Sequence, residues 1–118
     1  NKPIKVFNNG QMERDFTYID DIISGITKII EKNMESREHY KIYNIGNSKT
    51  ESLKDFIDSI EESLGQKAIK IMYPMQQGDV PNTFADISEL IKDHKYSPDT
   101  DIKSGIGDFI RWYKNYNL

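Results

Sequence analysis

Arg14 and Asp79 are the residues whose type and setting point most directly to ligand chemistry. Arg14 is one of three arginines beside thirteen lysines. A planar guanidinium matches two phosphate oxygens at once, which a lysine ammonium does not do. Arg14 stands between the turn residues Asn8-Asn9-Gly10 and a predicted helix start, a setting that favours anions. On the residues alone, a surface arginine paired with Asp15 or Asp20 is the plainer reading. Asp79 lies in Met75-Gln76-Gln77-Gly78-Asp79-Val80-Pro81, a stretch fixed by Gly and Pro. Its carboxylate could accept hydrogen bonds from a sugar diol. A turn in which Asp79 caps its own backbone is again the plainer reading.

Catalytic constellations are missing. Neither Gly-x-Gly-x-x-Gly nor Gly-x-x-x-x-Gly-Lys occurs. His39 and His94 are the only histidines, and neither has metal-ligand spacing to another. Both read as plain surface or helix-end residues. Tyr18 lacks the lysine four residues later that a Tyr-x-x-x-Lys pair needs, because position 22 is Ile. Tyr18 and Tyr43 read as core or half-core residues. The residues describe a domain able to bind and unable to catalyse.

The elements that must position these residues follow from periodicity. Ile4–Phe7 reads as a short strand ended by Asn8-Asn9-Gly10. Thr17 reads as the cap of a helix reaching Asn33, with Ile19, Ile22, Ile23, Ile26, Ile29 and Ile30 on a core-facing stripe. Lys41–Ile45 alternates as a strand. A second helix runs from Ser52 to Leu64 with Gly65 behind it. Ala68–Tyr73 is a third strand, and 74–82 is a loop. Asp86 caps a brief helix with Glu89 completing the box, and Thr100 or Asp101 starts the last helix. The order gives an α/β piece with short strands and covering helices.

With 118 residues the chain has the length of one domain. That excludes a complete barrel enzyme, and a nucleotide-binding domain joined to a substrate domain. The hydrophobic share of 36% makes the core thin. A net charge of −3 gives no footprint for nucleic acid. No apolar run approaches membrane-spanning length, no signal peptide is legible, and the absence of Cys excludes a disulfide framework. These features fit a reducing cytoplasm. A start on Asn1 rather than Met suggests a piece of a longer chain.

Four strings, taken in order, resemble one family. They are Gly10-Gln-Met-Glu-Arg-Asp-Phe-Thr-Tyr-Ile-Asp-Asp-Ile22, Tyr43-Asn-Ile-Gly-Asn-Ser48, Pro74-Met-Gln-Gln-Gly-Asp-Val-Pro-Asn-Thr-Phe-Ala-Asp86 and the closing Gly105…Phe109-Ile-x-Trp-Tyr113. Together they resemble the extended short-chain dehydrogenase/reductase family of nucleotide-sugar enzymes, over essentially the whole chain. Within it they look most like the UDP-glucuronate 4-epimerases of capsule biosynthesis. UDP-N-acetylhexosamine 4-epimerases, dehydratases and decarboxylases are the competing readings. So, from another class, is a stand-alone binding module.

The resemblance implies a fold and roles. The chain would be the C-terminal substrate-binding subdomain of a Rossmann-type enzyme, residues 1–118 forming one domain. Arg14 would contact the substrate diphosphate. Lys5, Val6 and Phe7 would hold the uracil, largely through backbone groups and the Phe7 ring. Asp79 would bind the UDP ribose. Gln76 stands where many relatives carry a phosphate-facing Arg, so a second phosphate clamp is in doubt. Asn8 replaces a common Gly, and its turn should survive because Asn tolerates positive φ. NAD and the catalytic Ser/Thr-Tyr-Lys set would belong to an N-terminal domain outside these residues. The partners implied are a UDP-sugar, that NAD-binding domain and, for the longer protein, a second copy in a homodimer. Charge and composition point to no membrane and no nucleic-acid partner. Part of the hydrophobic face would then belong against the absent domain, and the isolated chain should be only marginally stable or should associate through that face.

Overall fold

Ile4–Val6 forms a strand, β1, that runs parallel to β4 (Lys70–Met72), with Ile4 opposite Lys70 and Val6 opposite Met72. The computed structural model describes residues 2–33 and 40–116. The chain divides into two compact units: Asn1–Arg14, Thr50–Thr83 and Asp101–Leu118 in one, Asp15–Lys49 and Phe84–Thr100 in the other.

In the first unit the β1–β4 ladder continues past its ends. The Ile4 N–H donates to the Ile69 carbonyl at 2.8 Å and the Tyr73 N–H to the Val6 carbonyl at 2.8 Å. Val6 is buried. The strand stops at Val6, one residue before the predicted end, because Phe7–Gly10 winds into a tight helical turn. Asn8 and Asn9 both have φ of 50° and Gly10 has φ of 79°. Asn enters this left-handed region more readily than other residues with a Cβ. Here the Asn8 side-chain amide also donates to the Gln11 carbonyl at 2.7 Å. A second ribbon pairs β2 (Glu13–Arg14) antiparallel with β3 (Glu51–Ser52).

Helix α2 (Leu53–Leu64) starts where expected, with Ser52 Oγ accepting the Asp55 N–H at 3.0 Å. Gly65 closes it in the left-handed conformation. Helix α4 (Ile102–Tyr116) packs on α2, buries Ile106 and Ile110, and is capped by Asp101, which accepts the Ser104 N–H at 3.0 Å. Glu61 is buried beside them. Its carboxylate receives Lys67 Nζ at 2.7 Å, Lys70 Nζ at 2.7 Å and the Ala68 N–H at 3.0 Å, which ties the end of α2 to the approach of β4.

The second unit packs α1 (Ile19–Asn33) and α3 (Ser88–His94) around Ile87, Leu90 and Tyr96. Several expectations change here. The isoleucine stripe of α1 is not core: Ile19, Ile23, Ile26 and Ile30 are exposed, and only Ile29 packs against the cluster. The buried residues of α1 are Asp21 and Gly25. Asp21 accepts the N–H groups of Asp99 and Thr100. Gly25 lets Ile45 and Tyr96 close to where a Cβ would stand.

Lys41–Ile45, expected as a strand, joins no ladder. Side chains fix it instead: Lys41 and Tyr43 both reach the Asp93 carboxylate, and Asn44 donates to the Asp86 carbonyl. Asp86 does not close a capping box with Glu89. It binds the N–H and hydroxyl of Ser88, one position short of the geometry a box requires.

The motif around Gly46 has a physical basis. Asp15 Oδ1 accepts the Asn47 N–H at 2.8 Å, and Oδ2 accepts those of Ser48 at 3.0 Å and Ala85 at 3.1 Å. Thr17, the expected cap, turns its hydroxyl to Asp15 Oδ1 at 3.3 Å. A Cβ on Gly46 would stand 2.5 Å from the Ala85 Cβ and 3.1 Å from Asp15 Oδ2, so only Gly permits this approach. The Tyr96 hydroxyl donates to the Gly46 carbonyl at 2.9 Å. Burial, reinforced by the charges of Asp21 and Asp15, pushes that hydroxyl up to about 12.

Candidate functional site

The segment after β4 is built as a turn that presents one carboxylate. The Asp79 N–H donates to the Gln76 carbonyl at 3.2 Å, and Gly78 supplies the positive φ of 85° that a third turn position demands. Asp79 Oδ1 then accepts the Val80 N–H at 3.0 Å. Residues 81–83 run beside β2: the Glu13 N–H donates to the Pro81 carbonyl at 2.9 Å, and the Thr83 N–H to the Glu13 carbonyl at 3.2 Å.

This pairing brings the two leading candidates together across 65 residues. Arg14 Nη2 donates to Asp79 Oδ1 at 3.0 Å, and Nη1 donates to the carbonyls of Glu13 at 2.8 Å and Pro81 at 3.0 Å. Arg14 therefore pairs with Asp79 rather than with Asp15 or Asp20. Three of its five N–H donors are engaged, and two remain, as many as one bidentate phosphate contact uses. Asp79 Oδ2 takes part in none of these bonds. The side chains are 24% and 31% exposed, so the pair is open to a ligand. Asp79 caps its own turn as the plainer reading holds, and binds Arg14 as well.

The second cluster sits at the end of β1. The Phe7 and Tyr73 rings are 5.6 Å apart, and the Lys5 ammonium lies 5.5 Å from the Tyr73 ring centre. Tyr73 is a member that sequence reading misses. The signal available was an aromatic residue ending a strand next to the turn that carries Asp79. The Val6 side chain is buried and its carbonyl accepts the Tyr73 N–H, so neither is offered to a ligand. Ile4 and Val6 turn their backbone groups toward β4. Alternation along a strand sends those of Lys5 to the opposite edge, which no strand covers among the described residues. Gln76 is exposed and contributes its carbonyl to the turn. Among the described residues no hydrogen bond or ion pair joins the Lys5–Phe7 cluster to the Arg14–Asp79 pair.

Among the described residues no group of His, Asp and Glu could hold a metal ion, and no helix is long and apolar enough to cross a membrane. His39 lies outside the described residues. His94 is the last residue of α3 and is buried edge-on against Tyr43, with Nδ1 donating to the Lys28 carbonyl at 3.3 Å.

Residues 1–46 match the model of the NAD dependent epimerase/dehydratase family. The chain is 39% identical to Protein CapI of Staphylococcus aureus, over 96% of this chain and 38% of that protein. It is 34% identical to a probable UDP-glucuronate 4-epimerase of Rhizobium meliloti, over 98% of this chain and 38% of that protein. Among solved structures it superposes on the UDP-glucuronic acid 4-epimerase of Bacillus cereus in complex with UDP-glucuronic acid and NAD. The TM-score is 0.77 at 32% identity, covering 95% of this chain and 36% of that one. The chain thus spans about a third to two fifths of the length of these relatives. By sequence and fold together it is similar to the nucleotide-sugar epimerases of the NAD dependent epimerase/dehydratase family. More particularly, its α/β fold is that of the C-terminal part of such Rossmann-type enzymes, the UDP-glucuronate 4-epimerases among them.

Proposed function

We propose that this chain is the UDP-sugar-binding portion of an NAD-dependent nucleotide-sugar 4-epimerase that interconverts UDP-glucuronate and UDP-galacturonate. The observation that carries the reading is the Arg14–Asp79 corner, where among the described residues two guanidinium donors and one carboxylate oxygen stand outside the bonds that hold the pair. In this reading the free donors of Arg14 take the diphosphate. Asp79 Oδ2 takes the ribose hydroxyls. The open edge at Lys5 and the Phe7 ring hold the uracil, and Gln76 lies beside the phosphates without adding charge. Residues 1–118 then act as one substrate-binding portion, with a Rossmann domain outside them holding NAD. Bound there, NAD would supply the hydride acceptor for sugar C4. The share of this chain is to bind and orient, which lowers a barrier by fixing the reacting carbon before chemistry begins.

The test is titration calorimetry on the 118-residue chain. UDP is expected to bind and NAD to give no heat. Arg14→Ala should weaken UDP by about tenfold or more, the loss of a charge-assisted hydrogen-bonding group. Unchanged UDP affinity in that variant would remove Arg14 from the site, and heat from NAD would move the cofactor site into this chain.

A further inference from the structure

The geometry points to Asp79 as a specificity filter on Arg14, a carboxylate that makes this corner reject free phosphates and accept a phosphate that arrives joined to a vicinal diol. This deepens the reading of the corner as a nucleoside diphosphate site and rests on it. An exposed guanidinium binds inorganic phosphates readily, because its fork matches any pair of phosphate oxygens. Here the fork is closed on three sides. Glu13 and Pro81 carbonyls hold Nη1, and Asp79 Oδ1 holds Nη2 at 3.0 Å.

Asp79 is not free to swing away. Its N–H is bonded to Gln76, and its Oδ1 takes the Val80 N–H within a turn set by Gly78. A bare anion on the two remaining donors of Arg14 therefore sits against a fixed negative charge. A nucleoside diphosphate meets the same repulsion and offsets it, because its ribose hydroxyls donate to Oδ2. Asp79 weakens every anion and returns the loss only to a ligand carrying the diol.

The experiment titrates UDP and inorganic pyrophosphate into the 118-residue chain, into Asp79→Asn, into Arg14→Ala and into the double variant, at fixed ionic strength. Asp79→Asn keeps the shape of the side chain and an acceptor for the Val80 N–H while removing the charge. Pyrophosphate should bind it about two- to fivefold more tightly than wild type, the size expected of a partly exposed charge interaction. UDP should bind it about tenfold more weakly, from the loss of charged hydrogen bonds to the diol. Opposite shifts for the two ligands are the signature, since a damaged turn would weaken both. The pyrophosphate gain must vanish when Arg14→Ala is the background. Equal or weaker pyrophosphate binding in Asp79→Asn overturns the filter. Failure of UDP to bind wild type overturns the nucleotide reading instead, and the pyrophosphate arm still decides how Asp79 acts on Arg14.

Discussion

Asp15 and Asp79 are two carboxylates that each gather backbone N–H groups, one in each unit, and they end in different states. Asp15 places both oxygens on main-chain donors from two segments, Asn47–Ser48 and Ala85, with the Thr17 hydroxyl added. Around it Gly46 allows close approach and Tyr96 closes the far side. Asp79 places one oxygen on Val80 and Arg14 and leaves the other outside those bonds. A saturated carboxylate stitches chain segments together, whereas a half-committed one beside an arginine is available to a ligand. Residue type and sequence setting look alike in the two cases. What separates them is how many donors the fold delivers.

The largest effect expected from breaking this contrast is at Asp15. Asp15→Ala strands three main-chain donors and should lower unfolding free energy by about 2–4 kcal/mol, read by urea denaturation. A loss below about 1 kcal/mol would show that water replaces the carboxylate, and would undo its role as a stitch.

Glu61 sharpens the contrast as a third, saturated case. Hydrogen bonds from Lys67, then Lys70 and the Ala68 N–H, lower its carboxyl from 4.5 to about 2. A folded-state value held down means that the contribution is fully present above about pH 4.5 and is lost as pH falls toward about 2. Wild type should melt above Glu61→Gln at neutral pH, and the gap should shrink across that window. A gap unchanged down to pH 2 would refute the assignment.

The smallest effect belongs to Asp79. Asp79→Asn should change stability by less than about 1 kcal/mol, as for other partly exposed ion pairs. A larger loss in the same denaturation assay would place Asp79 with Asp15 as scaffold.

Local signals in the sequence were legible in part. The helix start near Ser52, the Gly65 stop and the helix start at Thr100 or Asp101 each depend on contacts within a few residues, and each forms. The Asp86–Glu89 box is just as local and does not form, because Asp86 binds Ser88 instead. Non-local choices were not legible. Lys41–Ile45 alternates like a strand, but pairing needs a neighbour strand, and Asp93 claims its side chains instead. Periodicity showed that α1 has an isoleucine face, yet it says nothing about what covers it, and within this chain most of that face is exposed. Arg14 and Asp79 could each be singled out by residue type. Their pairing depends on the Glu13–Pro81 contact, which no local pattern encodes.

The uncovered edge of β1 has a consequence for behaviour in concentrated solution. An unpaired strand edge invites another copy to add its own strand, the first step toward aggregation. Here that edge is only three residues long, follows Pro3 and centres on Lys5. Short length, a proline and a charged lysine are each known deterrents to such strand addition. The same three residues can thus leave a ladder edge open without inviting a second copy of the chain.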